Sequence, residues 1–221
     1  MLTPNLAKLK RISGELSYDT LCNMKTLAIS LQGCDRHAEA YLLFKECYDK
    51  QVQTGGKNSY EALQTMLTMS TALRELNRND EAELMLKQCL ESLTKTCGEN
   101  HPVTLKAIIT LANVYLTAEK FQLAEEYLKK AIATQSKIMD NLHPDILVSK
   151  VSLAACYSRQ DDPKKLIEAE RLFKECLKHQ ERIFGTNHPQ VKQTKTQYLI
   201  LLLQTGRLEE YEALISSMGS N

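Results

Sequence analysis

The chain has 221 residues, with 28 Lys plus Arg against 27 Asp plus Glu, a net charge of +1. That length suffices to bury a core in one or two domains, while near-neutrality supplies no bulk attraction to nucleic acid or to an anionic membrane. No apolar run approaches the roughly 20 residues that a bilayer span requires. The opening "MLTPNLAKLKRIS" lacks the apolar stretch of a secretory signal, so a cytosolic or nuclear location is expected, the cytoplasm foremost. Seven cysteines occur without a CxxC pair, which argues against a disulfide framework and against a zinc site. Glycine (8) and proline (5) are few, so helix breakers are rare.

Residues 1–17 read as a lead-in segment. The first recurring stretch is "HAEAYLLFKECY" (37–48), and "NDEAELMLKQCL" (79–90) follows 42 residues later. "TLKAIITLANVYL" (104–116) precedes the third copy and places Ile108, Leu111, Ala112 and Tyr115 on one helical stripe. The third copy is "FQLAEEYLKKAI" (121–132), again at 42. Leu153, Ala154 and Tyr157 repeat the preceding helix, and "IEAERLFKECLK" (167–178) arrives after 45. The three additional residues fall in "SRQDDPKKLIE" (158–168), which reads as an insertion in an inter-helix turn. "TQYLILLLQTGRLEEYEALI" (196–215) is a fifth, partial copy. Aligned columns run Ala40, Ala82, Ala124, Ala169, then Phe44, Leu86, Leu128, Phe173, then Cys47, Cys89, Ala131, Cys176. They sit at i, i+4 and i+7, one face of an α-helix. A fixed period of this size predicts an all-α solenoid of about five helical hairpins, at about 18–59, 60–102, 103–144, 145–189 and 190–216, with a tail at 217–221.

His-Pro recurs in "CGENHPVTL", "NLHPDIL" and "GTNHPQV", at His101, His143 and His188. Each pair stands between helices, where Pro suits the first helical turn and Asn100 or His101 can cap it. Gly98 and Gly185 suit the preceding helix end. Successive histidines are expected about 10 Å apart, too far to share a metal with bonds near 2 Å. They therefore read as structural punctuation, and no metal or cofactor is expected. Cys47, Cys89 and Cys176 share a core column and read as small buried hydrophobes. Cys34 and Cys97 lie nearest to exposed turns. There is no phosphate-cradling loop, HExxH or GxSxG, so no enzymatic activity of its own is expected.

"TLANVYLTAEKFQLAEEYLKKAIATQSKIMDNLHPD" and "SLAACY…AERLFKECLKHQERIFGTNHPQV" resemble tetratricopeptide repeats, more narrowly the 42-residue variety of the kinesin light chain family. The order LA-x-x-Y, AE-x-x-L/F-x-x-A/C, G-x-x-HP is shared, over about residues 18 to 216. The resemblance implies a right-handed superhelix whose concave groove, lined by first helices, binds peptides or helices of other proteins. It also implies that this chain is not a whole kinesin light chain, since only 17 residues precede the first repeat where that family carries a long heptad region. The family's Asn pair before LA is replaced by Leu67 and Thr68, Ile109 and Thr110, Val151 and Ser152. Phasing the first helices predicts the groove-facing side chains: Lys25; Gln64, Leu67, Thr71 and Arg74; Lys106, Ile109, Asn113 and Thr117; Val148, Val151 and Arg159; Gln193 and Thr196. Asn113 suits bonding to a ligand backbone. An apolar floor with Lys25, Arg74, Lys106 and Arg159 suits an amphipathic or acidic peptide.

The expected function is therefore a protein–protein interaction scaffold or adaptor. The alternative is a regulatory or targeting repeat module of a larger enzyme or of a motor or ciliary transport complex, with a cytoskeletal or ciliary association. Leu201, Leu202, Leu203, Leu208, Tyr211, Leu214 and Ile215 crowd the fifth hairpin, with only "SSMGSN" after it. An exposed apolar patch over about 198–215, able to self-associate or to dock a further domain, is expected there.

Overall fold

A computed structural model describes residues 11–219 of the chain, with side chains described as far as residue 216. Among the described residues there is no strand. Ten helices follow a turn of helix at 11–13: α1 (Tyr18–Gly33), α2 (His37–Gly55), α3 (Tyr60–Glu75), α4 (Asn79–Cys97), α5 (Pro102–Thr117), α6 (Phe121–Ile138), α7 (Pro144–Ser158), α8 (Pro163–Phe184), α9 (Pro189–Gln204) and α10 (Leu208–Gly219). Odd-numbered helices are the first, and even-numbered the second, of successive hairpins. The chain divides into two compact units, to Ala118 and from Glu119. In the first, α1 packs on α2, α2 on α3, α3 on both α4 and α5, and α4 on α5. In the second, each helix from α6 to α10 packs on the next, and α7 also meets α9.

Every first helix starts from a side-chain acceptor at its N-cap. Ser17 and Ser59 accept from the backbone N–H of Thr20 and Ala62. His101, His143 and His188 accept through Nδ1 from Val103, Asp145 and Gln190 N–H, each at 3.2 Å, with Pro at the next position. Serine thus performs in the first two repeats what histidine performs in the last three, satisfying an otherwise unpaired helical N–H.

The hairpin turns are equally regular. Asp35, Asn77 and Glu119 all have φ of +58°, and Gly206 has +69°. In three of these turns the chain closes by paired backbone bonds: Arg36 N–H to Leu31 O at 3.0 Å with Asp35 N–H to Gln32 O at 3.2 Å, and the same pattern at Arg78/Asn77 and at Arg207/Gly206. This left-handed helix stop redirects the chain within three residues. The fourth hairpin differs. Asp162 caps α8 by accepting from Lys164 N–H at 2.9 Å, and Pro163 is its first residue. The additional residues therefore go mainly into α8, which has 22 residues against 18 or 19 in α2, α4 and α6, while the turn at 159–162 has four residues against three. The cap-plus-proline pair starts that helix early, and the register is regained at Ala169, which is buried.

All twelve residues of the three aligned columns are 0% exposed. Small Ala40, Ala82, Ala124 and Ala169 let helices approach, while Phe44, Leu86, Leu128 and Phe173 fill the space beyond. Fully burying one such large side chain contributes about 1.5–3 kcal/mol. The column cysteines also tie each hairpin internally, the Cys47 Sγ donating to Leu21 O at 3.5 Å, Cys89 to Leu63 O at 3.4 Å and Cys176 to Leu147 O at 3.7 Å.

Candidate functional site

The first helices present their non-core residues at registers that repeat every 42 residues. In the first unit, Lys25 Nζ of α1 donates to Gln64 Oε1 of α3 at 3.4 Å, which links two of the expected residues across neighbouring repeats. Ile109 and Asn113 are half-exposed and Lys106 is exposed on α5. Among the described residues the Asn113 amide has no hydrogen-bond partner and the Lys106 ammonium no carboxylate.

One expected residue is enclosed, and others have partners within the chain. Leu67 is 3% exposed and belongs to the core, because α3 is covered by both α4 and α5. Arg74 is paired with Glu75. The Thr71 hydroxyl donates to Leu67 O at 3.3 Å, and that of Thr117 to Val114 O at 2.9 Å and Asn79 Oδ1 at 3.0 Å. In the second unit, Val148 and Val151 are half-buried, and Gln193 and Thr196 are exposed. Arg159 is held by Glu119 at 3.6 Å and lies over the Phe121 ring at 5.6 Å. The Thr196 hydroxyl is returned to Lys192 O at 2.9 Å.

Two apolar residues at the Asn113 register escaped the sequence phasing. Ile29, 42 residues before Thr71, is 49% exposed, and Ile200, 45 residues after the buried Ala155, is 42% exposed. Counting back from Thr71, and forward from Asn113, by the repeat period finds them. Between α1 and α3 there is also a cleft of about 360 Å³, walled by Tyr18, Cys22 and Lys25 on one side and Tyr60, Glu61 and Gln64 on the other.

Neither histidine nor cysteine chemistry gathers at one place. The three repeat histidines are occupied as caps, with His188 also stacked on Phe184 (centroids 4.5 Å apart) and His101 edge-on to Tyr60 (6.1 Å). Among the described residues no group of His, Cys, Asp and Glu has the geometry to hold a metal ion. Burial pushes the Cys47 and Cys156 thiols up to about 11 and those of Cys89 and Cys176 up to about 12. Such thiols are protonated at neutral pH and are poor nucleophiles. Among the described residues no helix is long and apolar enough to cross a membrane.

Comparison with known proteins follows the same lines. No curated protein matches the chain. In solved structures, it resembles the nearly identical TPR-like repeats described as a kinesin light chain of Podosopora anserina, at 23% identity and a TM-score of 0.65, over 90% of this chain and 92% of that one. It also resembles BtubC (BKLC) from P. vanneervenii, at 15% identity and a TM-score of 0.70, over 97% of this chain and 84% of that one. At these identities the likeness is one of fold. Residues 19–95 and 87–137 match a tetratricopeptide repeat model, and 164–190 match a second model of the same description. With hairpins, caps and buried columns all in that register, the chain belongs to the tetratricopeptide repeat family.

Proposed function

We propose that this protein is an interaction scaffold without chemistry of its own, which holds an acidic peptide or amphipathic helix of a partner protein against the exposed faces of its first helices. Membership of the tetratricopeptide repeat family supports the scaffold role. The observation that carries the finer reading is on α5: the unpartnered Asn113 amide stands on one helix with an unpaired Lys106 and a half-exposed Ile109. An amide that is free to donate and accept suits the backbone of a bound segment, a cation suits its carboxylates, and the isoleucine suits its apolar side. Lys25 and Ile29 offer the same pairing on α1. A cytoplasmic site of action, with cytoskeletal association, agrees with the likeness to kinesin light chain repeats.

Selection from a displayed library of random peptides tests the reading, using wild type against Asn113→Ala plus Lys106→Glu. Wild type should enrich acidic segments, with affinity falling as salt rises, and the double variant should lose at least tenfold while melting at the same temperature. Enrichment that is indifferent to both substitutions would remove the site from α5.

A further inference from the structure

Second helices carry a buried residue near their C-terminal ends that the core columns do not include: Gln51, Leu93, Gln135 and Gln180, in register at 42, 42 and 45 residues. Fourteen residues after each, on the next first helix, stand Thr65, Ala107, Ser149 and Thr194. All eight side chains are at least nine-tenths buried. A glutamine is followed by a hydroxyl at three junctions, and a leucine by an alanine at the fourth.

At the α6–α7 junction the pair is bonded. Ser149 Oγ donates to Gln135 Oε1 at 2.7 Å, and Gln135 Nε2 donates to Asp145 O at 3.5 Å. At the other two polar junctions the Gln51 Oε1, Thr65 Oγ1 and Gln180 Oε1 atoms are buried with no partner. Thr194 donates to Gln190 O at 3.0 Å, as Ser149 also does to Asp145 O. Three orphaned polar atoms at the register of a formed bond are costly unless they meet one another. The Cys47 thiol lies beside Thr65 but is committed to Leu21 O, and sulfur is a weak acceptor.

We infer that Gln51 with Thr65 and Gln180 with Thr194 close the same glutamine–hydroxyl bond as Gln135 with Ser149 by side-chain rotation, Thr194 exchanging its bond to Gln190 O, and that these pairs set the three polar junctions apart from the apolar one. A glutamine set against Ala107 has no hydroxyl, and Leu93 set against a threonine or serine removes that hydroxyl's acceptor. The junction of α4 with α5 is apolar on both sides, so α5 is matched to α4 and mismatched to the second helices that carry a glutamine. Buried polar groups fix register in this way because the wrong pairing leaves a desolvated group unpaired.

Double-mutant cycles on the full chain, read by chemical denaturation, test the inference. Gln51→Leu, Thr65→Val and their combination form one cycle; Gln135→Leu with Ser149→Ala and Gln180→Leu with Thr194→Val form the others. Each single change should lower the folded-to-unfolded ratio by about tenfold, and each double should recover most of that loss. Thr65→Ser, which keeps the donor and loses one buried methyl, should lower the ratio by only about fourfold even if Thr65→Val proves too unstable to measure. Leu93→Gln should lower the ratio, and adding Ala107→Ser should restore part of it. Additive losses at Gln51–Thr65 or Gln180–Thr194 would overturn the inference, as would a Thr65→Ser chain that falls with Thr65→Val.

Discussion

Asp35, Asn77 and Glu119 occupy the left-handed region at the same point of three repeats, and glycine holds that point in the fifth. Asn and Asp tolerate this conformation through their short polar side chains, whereas glutamate has no such compensation. Glu119→Gly should therefore raise stability by about 0.5–1 kcal/mol, as seen in the denaturation midpoint, its exposed contact with Arg159 contributing little. The histidine caps make a second expectation. Replacing His101, His143 and His188 together with Asn retains an acceptor at each cap, so the melting temperature should fall only slightly, by what about 1 kcal/mol or less per site produces. Loss of a stoichiometric metal in that variant would show that the caps are not their whole role. Thiol labelling should divide the cysteines by burial: exposed Cys34 reacts first, then half-buried Cys22 and Cys97, while Cys47, Cys89, Cys156 and Cys176 react only on unfolding. Fast labelling of any of the last four in the native chain would contradict the core columns.

Between elements, a recurrent ionic bracket joins α4, α6 and α8 each to the following first helix. Glu83 meets Lys87 at 2.6 Å and the Tyr115 hydroxyl at 3.5 Å; Glu125 meets Lys129 and Lys165 at 2.7 Å each and the Tyr157 hydroxyl at 3.5 Å. Glu170 is held most tightly, by Arg207 and Lys174 at 2.6 Å each, with the Tyr198 hydroxyl at 3.4 Å. The Arg207 guanidinium, aided by Lys174 and opposed by partial burial, pulls the Glu170 carboxyl down to about 2. A carboxylate depressed in the folded state stabilises the fold above its ordinary range near 4.5 and loses that contribution as pH falls toward 2. Because the group is one-quarter exposed, the contribution is on the order of 2 kcal/mol. Glu170→Gln should thus cost stability at pH 7 and flatten the decline between about pH 4.5 and 2, measured by denaturation at each pH. An acid limb unchanged by the substitution would assign it to other groups. In the same layer, Ala124→Leu should cost about 1–3 kcal/mol, since the site is fully closed and an added isobutyl group has no room. An unchanged melting point would show the close helix approach to be misplaced.

Across the whole molecule, burial is interrupted at the fifth hairpin. Tyr198, Leu201 and Leu202 are enclosed, so the crowding read from the sequence is partly resolved by packing of α9 on α8 and α10. Ile200, Leu203, Leu208 and Ile215 remain 42%, 49%, 59% and 43% exposed. Four such side chains within two short helices are a candidate association surface. Light scattering across a concentration series should show wild type self-associating and Leu208→Glu plus Ile215→Glu monomeric. A wild type that is monomeric throughout, and binds no hydrophobic dye, would end that reading.

Periodicity alone determined the helical hairpins, the three core columns and the histidines as punctuation between helices, while the structure decided for His101 over Asn100 as the cap. Each depends on residue type at a fixed local spacing, and Ala40, Phe44 and Cys47 declare one helical face whatever packs on it. Tertiary structure decided what local spacing cannot express. Leu67 is core because α3 is covered on two sides, and Arg74, Thr117 and Arg159 have side-chain partners in Glu75, Asn79 and Glu119, set by rotamer and by turns. The three additional residues near Pro163 went mainly into helix because Asp162 caps at that point. Likewise, Gln135 and Ser149 meet only when two hairpins stack: a side-chain pair 14 residues apart has no local signature, and its hydrogen bond exists because burial excludes the water that would otherwise replace it.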